Sequence, residues 1–372
     1  MKNRVLTLIL ASALAAGASA PSAAQELPWE KVATRIVTSL NVANGETVIL
    51  RYDPKNYAAL EPVVRRQLEA KGAKVESLPY APVADLAERL ARTDIYVWLP
   101  AGDDANTVPA ERALLAKWLD DARGRQIHFH WNGGTRDVDG LPVAHVAAAY
   151  DPIYLDALDI DYKALGERQR RAAALLRSGE TRVTTPAGTD IRFRIGPDRP
   201  FNLQDGDGSA ERMKEAKVRV DREIELPAGV LRVAPIESSV QGTLVIPKAR
   251  FGTAIVKNAR LEFKDGLVVK ATAEEGQAAL DTFLTSAPAA KSFREFGLGF
   301  NPKLVVPAGQ TALPYYGYGD AVVRLSLGDN LEVGGAVRGG GVRWLFFTDT
   351  TVTVGTTPLV KNGKLVAQQS QR

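Results

Sequence analysis

A change of rhythm near residue 180 constrains the fold of this chain more than any single motif. Before it, short apolar runs alternate with helix-like segments. Thr47–Tyr52 reads as a buried strand, and Asp53-Pro54 supplies an N-cap followed by a proline suited to a first helical turn. Tyr57, Leu60, Val64 and Leu68 then recur on one helical face that ends near Gly72. Ala73–Leu78, Ile95–Leu99 and Gln126–Trp131 are three more strands. Helices are expected at Val83–Ala91, at Pro109–Ala122 with Leu114, Leu115, Trp118 and Leu119 on its face, and at Tyr162–Arg177. Strands separated by helices of this size make a doubly wound parallel sheet, an α/β domain over residues 25–180. After Thr181 the strands are short and punctuated by Gly, Pro, Asn and Asp: Arg182–Thr185, Asp190–Ile195, Gly242–Ile246, Ala259–Phe263 and Leu267–Ala273. A single helix, Glu275–Leu284, interrupts them. That pattern predicts a mostly antiparallel α+β domain over residues 181–372. Arg199–Lys217 reads as a long surface loop and Ala367–Arg372 as a frayed tail.

The first residues read as an export signal. Lys2 and Arg4 precede the apolar run Val5–Ala16, and small residues follow. Pro21 disfavours cleavage after Ala20, so cleavage is expected after Ala24, within Ser22-Ala23-Ala24. The run is shorter than the ~20 residues a spanning helix needs. There is no twin arginine and no cysteine, which excludes a lipid-anchored N-terminus, disulfides and thiolate metal ligands. The expectation is a periplasmic or secreted protein, free of the membrane once cleaved. Loss of Lys2 and Arg4 leaves 45 basic against 43 acidic residues. A surface that near to neutral gives no reason to expect nucleic acid as a partner.

Generic motifs are absent: no GxxxxGK[ST] loop, no GxSxG elbow and no HExxH. Gly339-Gly340-Gly341 lacks the strand-to-helix context of a phosphate loop. Three histidines exist. His128 and His130 lie two apart in Ile127–Trp131, so a strand would project both to one face, at the carboxyl end where open α/β sheets bind ligands. They read either as a two-histidine metal or anion site, or as a hydrogen-bonded pair. His145 follows a Gly-Leu-Pro turn and reads as structural.

Six blocks in the second half carry a resemblance. They are Thr185–Ile195 with its Gly-Thr-Asp, Glu225–Gly229 with Ala234–Glu237 and Val240–Gly242, Ala259–Gly266, Arg294–Pro302, Leu325–Gly328, and Val342–Leu345. In this order they resemble the aminopeptidase T family of metallopeptidases, whose corresponding segments read GTDL, LPxGE…AP…xGxxxI, ArLeFkdG, GElgiGtNP, HiALG and HxD. The resemblance implies a two-domain, dimeric enzyme with two metal ions. Their ligands would be the glutamate after LPxG, the GElgiG glutamate, the HiALG histidine, and the His and Asp of HxD. In this sequence those positions are Val230, Glu295, Arg324, Arg343 and Leu345, and a family tyrosine seven residues past HiALG is Leu331. A guanidinium cannot coordinate a cation. The metal cavity is therefore expected to have become a salt-bridge cluster or a small arginine-lined anion pocket. Its residues would be Arg324, Arg343, Arg338, Glu295 and Glu237, with Glu295 the one candidate catalytic group, no cofactor, and a small molecule or peptide as ligand. The alternative is a working hydrolase with a rebuilt site. It would draw on Glu295, Glu237, Asp320, Asp349 and the His128/His130 pair to hold calcium or magnesium.

Overall fold

The computed structural model describes residues 27–100 and 109–366. The leader and the C-terminal tail considered above lie outside the described residues.

The first half folds as its alternation dictates. Helix α1 (Trp29–Leu40) buries Val32, Ala33, Ile36, Val37 and Leu40 along one stripe and ends at Asn41, which sits in the left-handed region. It is an element the sequence reading did not assign. Strand β1 (Thr47–Tyr52) leads to Asp53, whose side chain caps α2 (Pro54–Tyr57). The single helix expected across this stretch is interrupted: Pro62 opens a second helix, α3 (Glu61–Ala70). Strand β2 (Lys74–Pro79), helix α4 (Leu86–Leu90), strand β3 (Ile95–Leu99), helix α5 (Pro109–Asp120) and strand β4 (Arg125–His128) follow. Two further helices, α6 (Ala147–Leu158) and α7 (Tyr162–Arg177), close this part.

The second half is built from short strands. Strands β5 (Glu180–Thr184) and β6 (Asp190–Arg194) form a hairpin, then come β7 (Asn202–Leu203), the one-turn helix α8 (Ala210–Met213) and β8 (Glu223–Glu225). Strands β9 (Val230–Val233), β10 (Gln241–Phe251), β11 (Ala254–Lys264) and β12 (Leu267–Thr272) precede helix α9 (Gln277–Leu284). The described residues finish through β13 (Phe293–Gly299), β14 (Val323–Leu327), β15 (Arg343–Phe347), β16 (Thr351–Val354), β17 (Thr357–Lys361) and β18 (Lys364–Leu365).

Among the described residues three sheets result. The parallel one runs β2-β1-β3-β4-β8, an eight-stranded antiparallel one runs β12-β11-β10-β6-β5-β16-β17-β18, and a five-stranded antiparallel one runs β15-β14-β13-β9-β7. This is the α/β plus antiparallel α+β architecture expected from the pattern. The two parts share more than a linker. Strand β8 comes from the second half yet pairs in parallel with β4, placing Glu225 beside His128. One hydrophobic cluster extends from Val32 on α1 to Val360 on β17. The boundary near residue 180 is thus a change of rhythm in the sequence and no break in the core. The reason is that β4 would otherwise be an unpaired edge, and β8 covers it. Among the described residues no helix is long and apolar enough to cross a membrane.

Candidate functional site

Glu295 is fully buried on β13 and is answered from the neighbouring strands. Antiparallel register puts Ser326 of β14 opposite Glu295 and Arg324 opposite Gly297, so all four positions lie on one face. A side chain at Gly297 would come within 3.2 Å of the Arg324 side chain, and the glycine leaves Arg324 free to lie across β13. Its Nε stands 3.1 Å from Glu295 Oε1. Ser326 Oγ donates to the same carboxylate oxygen at 3.2 Å. A bulge between Phe293 and Glu295 turns Arg294 toward the same side, with its Nε 3.5 Å from that oxygen. Arg294 also binds Glu332 and the Asp329 carbonyl. On the other side of β13, Arg232 of β9 lies opposite Gly297 and donates from Nε to Asn202 Oδ1 at 2.9 Å.

The electrostatics follow from that arrangement. Burial by itself pushes Glu295 up, but Arg324, Arg294 and Arg232 outweigh it and hold the carboxyl at about 2. Burial lowers Arg324 to about 10, with Glu295 opposing, so the guanidinium is charged at neutral pH. Burial, reinforced by Glu332, pushes Glu223 up to about 8 against the pull of Arg219. Glu225 is raised mainly by burial. Burial, with His130 and Arg232 beside it, drives His128 well below the usual imidazole range, so its ring is neutral.

These groups open on a cavity of about 510 Å³ between the carboxyl ends of β3, β4 and β8 and the five-stranded sheet. Trp98, His128, His130, Glu223 and Glu225 line it from the parallel sheet's side, and Arg232, Arg324, Tyr316, Trp344 and Arg343 from the other. Trp344 comes with Arg324, whose guanidinium carbon is 5.2 Å from its ring centre.

The residues singled out from sequence are distributed unevenly. Arg324 and Glu295 form a pair, and the His128/His130 pair, with ring centres 5.3 Å apart, faces the same cavity. His128 ends β4 and His130 lies just past it. Arg343 pairs in register with Leu327, and Leu345 with Leu325, so both belong to the opposite face of the sheet from Glu295. Arg343 donates to the Arg250 carbonyl at 2.7 Å, lies 3.8 Å from Asp139, and is also among the cavity's lining residues. The strand positions that share the face of Glu295 and Arg324 are Trp344 and Phe346, one residue further along. Arg338 is exposed in the glycine-rich loop and lines no part of the cavity. Glu237 is bound by Arg199, by Asn330 Nδ2 at 3.1 Å and by the Ala336 amide at 2.9 Å, where it braces the loop before β15. Asp320 pairs with Arg168, and Asp349 is exposed. His145 binds Asp151 at 2.7 Å, which also accepts from Trp131 Nε1. Sequence reasoning passed over Arg232, Glu223, Glu225 and Trp344. The signal for Arg232 was available: one cation inside Val-Leu-Arg-Val, a run otherwise fit for a buried strand.

The metal pair that the resemblance implies does not fit these residues. Of its positions only Glu295 offers a carboxylate, and that is engaged by Arg324 and Ser326. Among the described residues no group of three or more His, Cys, Asp or Glu side chains gathers as a cation site would need.

Residues 161–309 match the family model of the thermophilic metalloproteases (M29). Two solved structures share the fold along nearly the whole chain. The 2,5-dihydroxypyridine dioxygenase of Pseudomonas putida KT2440 is 16% identical with a TM-score of 0.62, covering 92% of this chain and 97% of its own. Wild-type AmpT from Thermus thermophilus is 17% identical with a TM-score of 0.54, covering 91% and 99%. No curated protein matches the sequence. The aminopeptidase T resemblance read from the six blocks is borne out by the family match over residues 161–309, and the two structures show the same fold.

Proposed function

We propose that this protein is an exported, metal-free relative of the metallo-aminopeptidases that binds a small anion in its arginine-lined cavity. The carrying observation is the Arg324–Glu295 pair. A guanidinium stands where the resemblance implies a metal-binding histidine, and it touches the carboxylate that the resemblance implies as a ligand. Drift alone would leave any residue type there, whereas a buried arginine supplies fixed positive charge where dications would have stood. Arg136, Arg232, Arg324 and Arg343 line the cavity against Glu223, Glu225 and Glu332. With Glu223 pushed up to about 8, the cations outnumber the ionised carboxylates at neutral pH.

A hydrolase with a rebuilt site is the competing reading, favoured by one observation: His128, His130, Glu223 and Glu225 share the cavity. Elemental analysis of the purified mature protein separates the two. The binding reading expects no stoichiometric divalent metal and calorimetric binding of small carboxylates that weakens with added salt. One equivalent of metal, lost in Glu225→Gln, would establish the hydrolase instead.

A further inference from the structure

The anion site described above has a second property, the chemistry of its walls. Six of its lining side chains carry rings: Trp98, His128, His130, Tyr316, Tyr318 and Trp344. They form a connected set. Trp98 meets His128 and His130 with ring centres 4.9 and 4.8 Å apart, His130 meets Tyr316 at 5.6 Å, and Tyr316 meets Trp344 at 5.9 Å. Two of the rings hold the cations in place: Arg136 stands 4.2 Å over Tyr316, and Arg324 lies against Trp344. Aliphatic side chains contribute little, with Leu141, Val220 and Val342 at the margins.

Three buried polar atoms, among those of the lining residues that lack a hydrogen-bond partner in the protein, flank the arginine–tryptophan wall and the glutamate facing it. They are Arg324 Nη2, Trp344 Nε1 and Glu225 Oε2. A buried polar group left unpaired costs about 1–3 kcal/mol, so three around one cavity mark where a ligand's polar atoms belong. Two are donors on one wall, and the third is a carboxyl oxygen on the other.

Resting on the anion-binding reading, we infer that the ligand is a small aromatic monocarboxylate with a hydroxyl or N–H on its ring. Its carboxylate would be taken by Arg324 and Trp344, its ring by the wall of Trp98, His128, His130 and Tyr316, and its ring hydroxyl by Glu225. A flat carboxylate matches the planar fork of a guanidinium. A phosphate would bring a second negative charge toward Glu225 and Glu332, which the single charge of a carboxylate avoids. The size agrees, because pockets of about 300–1,000 Å³ accept molecules from this scale upward.

Calorimetry on the mature protein tests this with four probes: 4-hydroxybenzoate, benzoate, cyclohexanecarboxylate and inorganic phosphate. The expected order places 4-hydroxybenzoate first, benzoate weaker, and the non-planar cyclohexanecarboxylate at least tenfold weaker than benzoate. Trp344→Phe keeps a ring but removes the donor, and should weaken both aromatic acids about tenfold. Glu225→Gln should reduce the gap between 4-hydroxybenzoate and benzoate. Equal affinity for benzoate, cyclohexanecarboxylate and phosphate overturns the aromatic assignment and leaves the anion site standing. Unchanged affinity in Trp344→Phe overturns the placement of the carboxylate. Failure of all four probes to bind overturns the anion site itself, and the aromatic assignment with it.

Discussion

A carboxylate with no contact to water must be met by cations or carry a proton, and Glu295 is met by cations. Removing one of them should therefore cost more than the pair contributes. Arg324→Met leaves the Glu295 charge with less compensation and is expected to destabilise the protein by about 3–5 kcal/mol in urea denaturation. Adding Glu295→Gln should return part of that loss, and strictly additive single effects would show that the two side chains are not coupled. Protons give an independent check, because Glu295 and Glu223 titrate in opposite senses. Glu295 is depressed to about 2, so its contribution is present above its unfolded value near 4.5 and is lost as pH falls through 2. Glu223 is raised to about 8, so the folded state holds its proton longer and stability declines as pH climbs from about 4.5 to 8. Glu223→Gln should flatten that alkaline decline and leave the acid limb unchanged. The measurement is denaturation midpoint against pH for both proteins. Of these residues, Glu295 and Arg324 were legible from their motif blocks. Glu223 was not, because nothing local marks a glutamate on a three-residue strand as facing a cavity.

Strand β8 is the element that joins the two halves, and a side chain holds its free edge. Gln204 is fully buried; its Nε2 donates to the Glu223 carbonyl at 2.8 Å and its Oε1 accepts from the Glu225 amide at 2.9 Å. It thus satisfies both backbone groups as a paired strand would. Gln204→Ala leaves them unpaired and should cost about 2–6 kcal/mol, at 1–3 kcal/mol for each group. Amide exchange at Glu223 and Glu225 should quicken more than at β4. Equal protection in the two proteins would show that β8 is held by its pairing with β4 alone. At this scale the sequence reading was strongest for long amphipathic helices such as α7 and for apolar strands such as β3. It was weakest for β7, β8 and β9, whose two to four residues are too few to display a period.

For the whole molecule, the shared sheet and the continuous core predict one cooperative unit. Calorimetry of the mature chain should show a single unfolding transition with matching calorimetric and van't Hoff enthalpies. A fragment ending at residue 180 lacks β8, exposes the β4 edge and should fail to unfold cooperatively. Two resolved transitions would mean the halves are independent domains after all. The sequence alone determined the order and kind of the main elements, the place where parallel gives way to antiparallel, and the choice of Glu295 and Arg324 as a pair worth examining. Each is a local matter of apolar period or motif. Only the tertiary structure decided which face each strand residue takes and which distant elements meet. A shift of one residue carries a side chain to the other side of a sheet. That is why Trp344 rather than Arg343 shares a face with Arg324, and why a histidine pair at the end of β4 and glutamates from β8 meet at one cavity with the arginines of β9 and β14.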